Sequence, residues 1–209
     1  INRLRTFAYR ESHDHTRTIW VLKCDIRKFF ASISQPILIK ILREYISDQD
    51  VIWLLREIIG SFHSTKPDVG LPLGNLTSQL LVNIYMNELD QFAKHQLKAK
   101  YYIRYADDFV ILSEDRDWLL SLLPRIETFL RERLALTLHP NKVSIATASS
   151  GTDFLGWVHF PDHRVLRTST KRRMLKRIEE VGGNRQNVQS YLGLLKHGNG
   201  QKLRKQIQE

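Results

Sequence analysis

Three acidic residues carry the chemistry that this sequence suggests. Asp107 and Asp108 are adjacent inside YYIRYADDFVIL, Tyr101 to Leu112, and Asp25 closes the strand-like part of TIWVLKCDIRKFF, Thr18 to Phe30. Adjacent carboxylates raise the cost of ionising one another unless a divalent cation is bound. A third carboxylate at a strand end, within reach of that pair, meets the requirement of two-metal phosphoryl transfer. One ion lowers the pKa of an attacking hydroxyl and the other stabilises a pyrophosphate leaving group, with the ions about 4 Å apart. Two Mg²⁺ ions suit such oxygen ligands and keep waters or substrate phosphates in their shells, so few protein ligands are needed. Mn²⁺ would serve as well. Taken alone, an Asp-Asp pair equally suits a solvated hairpin turn. No GxxxxGK[ST] loop occurs, which removes the commonest nucleotide triphosphatase reading.

The elements that must position these residues are legible from periodicity. Aromatic and β-branched residues on both sides of Ala106-Asp107-Asp108 predict a β-hairpin with the acidic pair at its tip. Ile19 to Leu22 predicts a strand ending at Asp25, with Cys24 turned to the opposite face as a small core residue. Ser34 and Pro36 mark a helix start, a second helix covers Asp50 to Ile59, and Gly60 ends it. Pro67, Gly70, Pro72 and Gly74 make Ser61 to Gly74 a loop, and Asn75 to Leu97 is a long helix with Leu80, Leu81, Ile84, Tyr85, Leu89, Ala93 and Leu97 on one face. Asp117 to Leu134 reads as a helix despite Pro124. The loop His139 to Lys142 then leads into a strand. DFLGWVHF, Asp153 to Phe160, and Val165 to Arg167 form a second hairpin around Pro161-Asp162. Helices follow from Thr168, broken at Gly182-Gly183.

Composition narrows the class. With 209 residues, 42% hydrophobic and 26% charged, the chain is sized for one large globular domain or a domain with an appendage. No apolar run is long enough to span a membrane, and no signal-peptide pattern follows Ile1, so the expectation is a soluble, cytoplasmic protein without a membrane partner. Starting at Ile1, the chain reads as a fragment. A single cysteine excludes an intrachain disulfide and disfavours a cysteine zinc site. The net charge of +10 is concentrated: residues 164–209 hold 12 Lys/Arg against 3 Asp/Glu, whereas residues 1–163 hold 20 against 19. A basic tail of this kind suits a surface that tracks a phosphate backbone, and would also suit a solvated helical face.

The ordered set VLKCDIRKFF, LPLGNLTSQLLVN, YIRYADDFVIL, LHPNK and FLGW resembles the palm motifs of reverse transcriptases, over about Val21 to Trp157. Five motifs in order are far more specific than any one of them. The resemblance implies an α+β right-hand polymerase palm, an antiparallel sheet packed on helices, with a helical basic thumb and most of the fingers absent from this chain. It divides the chain into 1–18 (end of fingers), 19–160 (palm) and 161–209 (primer-grip end and partial thumb). Asp25, Asp107 and Asp108 match the catalytic, metal-binding acids, with Ile26 adding its backbone carbonyl. Lys142 matches a basic residue proposed to protonate the pyrophosphate. The implied nucleotide-binding set is Lys28, Phe29, Phe30, Leu73, Gly74, Ser78 and Gln79. Within it, Phe30 resembles the bulky residue that selects deoxynucleotides, and would also suit a core aromatic beside Phe29. Phe154, Leu155, Gly156 and Trp157 resemble the primer grip, and Lys171, Arg172, Arg173, Lys176 and Arg177 would hold the nucleic-acid backbone.

The implied activity is RNA-directed DNA synthesis from dNTPs on an RNA template with a DNA or RNA primer. Most retroviral and group II intron enzymes have Gln before the motif glycine and Pro after its serine, whereas this chain has Leu73 and Gln79. The GxxxSQ form resembles reverse transcriptases of diversity-generating retroelements, which are error-prone at template adenines and work with a small, basic, oligomeric accessory protein. Retron, group II intron and defence-associated enzymes are the alternatives. No recognisable endonuclease segment follows the motifs. A non-catalytic RNA-binding scaffold with the same fold is the alternative of another class, and three clustered carboxylates near a phosphate backbone argue against it.

Overall fold

The computed structural model describes residues 2–64, 66–180 and 185–207. The chain forms two compact units, residues 22–145 and residues 1–21 with 146–209. These boundaries fall elsewhere than the motif-based division at 18 and 160.

The first unit begins within β1 (Trp20–Asp25), which is followed by α2 (Phe29–Ser32), α3 (Gln35–Tyr45), α4 (Gln49–Gly60) and α5 (Leu76–Gln91). The hairpin β2 (Tyr101–Tyr105) and β3 (Asp108–Ser113) and helix α6 (Arg116–Leu134) come next, and the unit ends within strand β4 (Ser144–Thr147). The sheet order β2-β3-β1-β4 sets the hairpin beside the strand that ends at Asp25. Phe109 to Leu112 are buried throughout, as are Leu119, Leu122, Ile126, Leu130 and Leu134 along α6. Asp48 caps α4 through the backbone amides of Asp50 and Val51, and Asp115 caps α6 through that of Trp118. Pro124 is accommodated inside α6, as the apolar period required. Cys24 is fully buried, and desolvation, with Glu127 and Asp108 adding to it, pushes its thiol up to about 12.

Two elements differ from their sequence reading. The long helix ends as α at Gln91 and continues through a π-helical segment, Phe92–Gln96. Its buried stripe runs through Ser78, Leu81, Val82, Tyr85, Met86 and Leu89, which leaves Leu80 63% exposed. DFLGWVHF does not form one strand. Leu155 and Gly156 both take positive φ (54° and 79°), so the chain turns there and gives β5 (Thr152–Phe154) and β6 (Trp157–His159), joined by β7 (Arg164–Leu166) in a three-stranded sheet. That sheet belongs to the second unit, together with α1 (Asn2–Glu11), α7 (Thr168–Glu180), α8 (Arg185–Leu195) and α9 (Gln201–Gln206). Trp157, Leu166, Met174 and Leu195 form its core. The expected break at Gly182-Gly183 lies outside the described residues.

The buried Tyr85 hydroxyl donates to the Leu134 carbonyl at 2.6 Å, satisfying an otherwise orphaned group at the end of α6. Tyr85→Phe is therefore expected to lower the stability to urea unfolding by about 1–2 kcal/mol, because a buried acceptor loses its donor. The slope of the transition should be unchanged.

Candidate active site

Asp25 ends β1, Asp108 begins the adjacent strand β3, and Asp107 lies in the turn before it. The amide of Ile26 donates to the carbonyl of Asp107 at 3.2 Å, which ties the end of β1 to the hairpin turn. On the other side, Arg27 donates to Thr137 (2.9 Å) and His139 donates to the carbonyl of Asp25 (2.7 Å), with Ile26 and Leu138 in an antiparallel bridge. The Asp25 to Arg27 backbone is thus held from both flanks. In the hairpin, Tyr105 pairs with Asp108, so Ala106 and Asp107 make a two-residue turn. Of these two, Ala106 alone has positive φ (53°), a conformation glycine would adopt without the strain that alanine carries.

Two lysines face the acids. Lys142 donates to both carboxylate oxygens of Asp25, at 3.1 and 3.0 Å. Its loop is shaped by His139, which donates its amide to Asp25 and accepts the Asn141 amide on Nδ1 at 3.2 Å. Lys23 lies 3.5 Å from Oδ2 of Asp108. Burial pushes the Asp108 carboxyl up to about 6, with Lys23 opposing the shift and Asp25 and Asp107 adding to it. Asp107 is also raised, by burial first and then by Asp25.

The donor set fits a hard divalent cation on one specific observation. Oδ1 of Asp108 is buried and accepts no hydrogen bond from the described residues, while the same group is pressed by two neighbouring carboxylates. Such an oxygen has the chemistry of a ligand to a hard cation. The acids are not a preassembled cage, however: among the described residues no three Asp, Glu, His or Cys side chains stand close enough to enclose an ion.

Other predicted residues are placed unevenly. Leu73 is 77% exposed, and Gly74 and Gln79 are exposed beside it. Gly74 is required for its φ of 90° rather than for space, since a Cβ there would meet nothing within 4 Å. Ser78 is 2% exposed and Phe29 is 3% exposed, so neither side chain presents a surface to a nucleotide. Both sit on inward faces, Ser78 on the buried stripe of α5. Lys28 is exposed at a left-handed φ of 48°, and Phe30 is half-buried with its ring edge-on to Phe29.

In the second unit, Phe154 and Trp157 are buried core side chains rather than a contact surface, and a Cβ at Gly198 would collide with the Trp157 ring. Only the turn residues Leu155 and Gly156 reach the surface. Lys171, Arg172, Arg173, Lys176 and Arg177 are all exposed on α7, with Lys176 and Arg177 near Glu180 (3.8 and 3.7 Å). Lys23 and His139 were missed by sequence reasoning. Strand alternation from Asp25 could have found Lys23.

Residues 2–159 match the family model described as "Reverse transcriptase (RNA-dependent DNA polymerase)". The chain belongs to the reverse transcriptase family. It is 27% identical over 196 residues to the protein YkfC of Escherichia coli, covering 75% of this chain and 49% of that protein. It is 24% identical over 227 residues to the group II intron-encoded protein LtrA of Lactococcus lactis, covering 74% and 36%. A putative COX1/OXI3 intron 2 protein of Saccharomyces cerevisiae is 22% identical over 201 residues, covering 66% and 23%. The chain therefore spans less than half the length of these relatives. Among solved structures, apo telomerase from Candida tropicalis shares the fold, with a TM-score of 0.65 at 13% identity over 83% of this chain and 37% of that one. No described helix is long and apolar enough to cross a membrane.

The raised Asp108 carboxyl has a measurable cost. A folded-state pKa above the unfolded value means that the folded chain holds the proton more tightly. Stability is then lost as pH rises from the ordinary carboxylate range through about 6. Asp108→Asn should raise metal-free stability by about 1–3 kcal/mol at about pH 8. The gain should vanish by about pH 3, below the ordinary carboxylate pKa, where wild type is protonated in both states. Chemical denaturation at the two pH values checks this.

Proposed function

We propose that the chain is the catalytic palm, with the start of the thumb, of an enzyme that copies an RNA template into DNA from dNTPs on a DNA or RNA primer. The observation that carries this reading is the meeting of Asp25 with the Asp107-Asp108 turn, where the buried Oδ1 of Asp108 has no hydrogen-bond partner among the described residues. Asp25, Asp107, Asp108 and the Ile26 carbonyl would hold two Mg²⁺, or Mn²⁺. The ions would supply activation of the primer 3′-hydroxyl and charge neutralisation at the pyrophosphate.

The chain's own groups do the rest. Lys142, already on the Asp25 carboxylate, carries a proton at Nζ that it can pass to the departing pyrophosphate once a cation takes its place. Phe30 faces the sugar and excludes a 2′-hydroxyl. Exposed Leu73, Gly74 and Gln79 border the nascent base pair, and the Leu155-Gly156 turn contacts the primer end. The basic face of α7 tracks backbone phosphates by charge. On this reading residues 1–18, 19–160 and 161–209 serve as the end of the fingers, the palm, and the primer-grip end with the thumb.

For the subgroup, Leu73 in place of an amide supports the error-prone enzymes of diversity-generating retroelements, with a small basic accessory protein as partner. The relatives encoded in introns support a group II intron type instead.

Primer extension by the full-length protein on an RNA template tests the activity. The variant carrying Asp107→Ala and Asp108→Ala should lose extension by more than about a hundredfold. No extension by wild type, with primer and accessory protein supplied, would favour an RNA-binding scaffold, and undiminished extension by the variant would remove the catalytic role of Asp107 and Asp108. Leu73→Gln should lower misincorporation at template adenines; an unchanged error spectrum would remove the retroelement subgroup.

A further inference from the structure

We propose that Arg104 is a positioning residue that sets the direction of the Asp107 carboxylate, by pinning the strained turn between β2 and β3 to helix α5. The proposal rests on the polymerase reading for its consequence, but its geometry stands apart from that reading.

Arg104 and Tyr102 share one face of β2, and both reach Asp90 near the end of α5. The Tyr102 hydroxyl donates to Oδ1 of Asp90 at 2.7 Å, Arg104 Nε donates to the same oxygen at 2.8 Å, and Nη2 donates to Oδ2 at 2.7 Å. This is a fork-to-fork pair, the geometry that a guanidinium holds and an ammonium cannot. The Arg104 side chain is 8% exposed, so its direction is set by packing as well as by charge.

The remaining nitrogen makes the functional connection. Nη1 donates to the carbonyl of Ala106 at 3.1 Å and approaches Oδ1 of Asn83, also on α5, at 3.4 Å. The Ala106 carbonyl belongs to the peptide unit that leads into Asp107, and Ala106 is the turn residue with φ of 53°. On the far side of Asp107, its own carbonyl accepts the Ile26 amide. The two peptide planes flanking Asp107 therefore each accept a hydrogen bond, one from Arg104 and one from Ile26, the residue after β1. A strained residue persists only where its surroundings over-determine it, and here the guanidinium is what does so.

Loss of the pin should let the turn relax and move Asp107 while the hairpin register survives. A displacement of about 1 Å at a reacting group costs about a hundredfold. In Arg104→Lys, with melting temperature and template-primer binding monitored as controls, primer extension should show kcat reduced by about ten- to a hundredfold. The KM for dNTP should change by less than about threefold, because the nucleotide contacts are elsewhere. In the absence of nucleic acid, Mn²⁺ affinity measured by electron paramagnetic resonance should fall several-fold. Millimolar methylguanidinium should restore part of both in Arg104→Ala, which a purely structural role would not allow. If Arg104→Lys does not fold, Asp90→Asn, which keeps an acceptor for the guanidinium, should change both readouts in the same direction.

A folded Arg104→Lys, or failing that Asp90→Asn, with wild-type kcat and wild-type Mn²⁺ affinity would overturn the proposal. If wild type itself extends no primer, the polymerase reading fails, and the Mn²⁺ measurement alone then decides the positioning role.

Discussion

The crowding and burial of three carboxylates is the constraint on which this structure turns. Burial raises the carboxyls of Asp107 and Asp108 first, and the charge of Asp25 beside them adds to it. Left to relax, such groups would move apart or into water. The fold denies them both exits. Amide hydrogen bonds on either side of Asp25, and the bond from Ile26 to the Asp107 carbonyl, fix the backbone from which the acids project. Lys142 and Lys23 then supply positive charge at Asp25 and Asp108, standing where a cation of higher charge would be more effective.

The surrounding architecture follows from that need. A sheet order that places β1 beside β3 is what brings a strand end against a hairpin turn. Helices α5 and α6 bury their apolar stripes and leave the strands no freedom to shift register, since a slip by one residue would turn every side chain over. The bidentate pair between Arg104 and Asp90 does for the tip of the hairpin what packing does for its stem. Stability is spent locally at the acids and recovered in the core, an arrangement expected wherever a site is held ready for a ligand that compensates its charge.

Much of this was legible in the sequence because it depends on local pattern. The alternation around Asp107-Asp108 gave the hairpin, and the alternation from Val21 to Asp25 put Cys24 in the core and Asp25 at the strand end. The order of the motifs, rather than any single residue, carried the family. What periodicity could not give is which of two plausible faces a helix buries. Leu80 and Ser78 exchanged expectations because α5 turns a small polar residue inward and a leucine outward. The turn at Leu155-Gly156 was hidden by a leucine in a conformation that leucine rarely adopts. The contact between Arg104 and Asp90 spans a helix end, a connection and a strand, and no local rule reaches across them.

The most direct test of the central claim is the thermal unfolding of the full-length protein titrated with Mg²⁺ in the absence of nucleic acid, alongside Asp25→Asn. Binding to the folded state alone raises stability with ligand concentration. If clustered carboxylates await a divalent cation, the unfolding temperature of wild type will climb with Mg²⁺ and that of Asp25→Asn will climb far less. Equal shifts in the two proteins, or none in either, would contradict it.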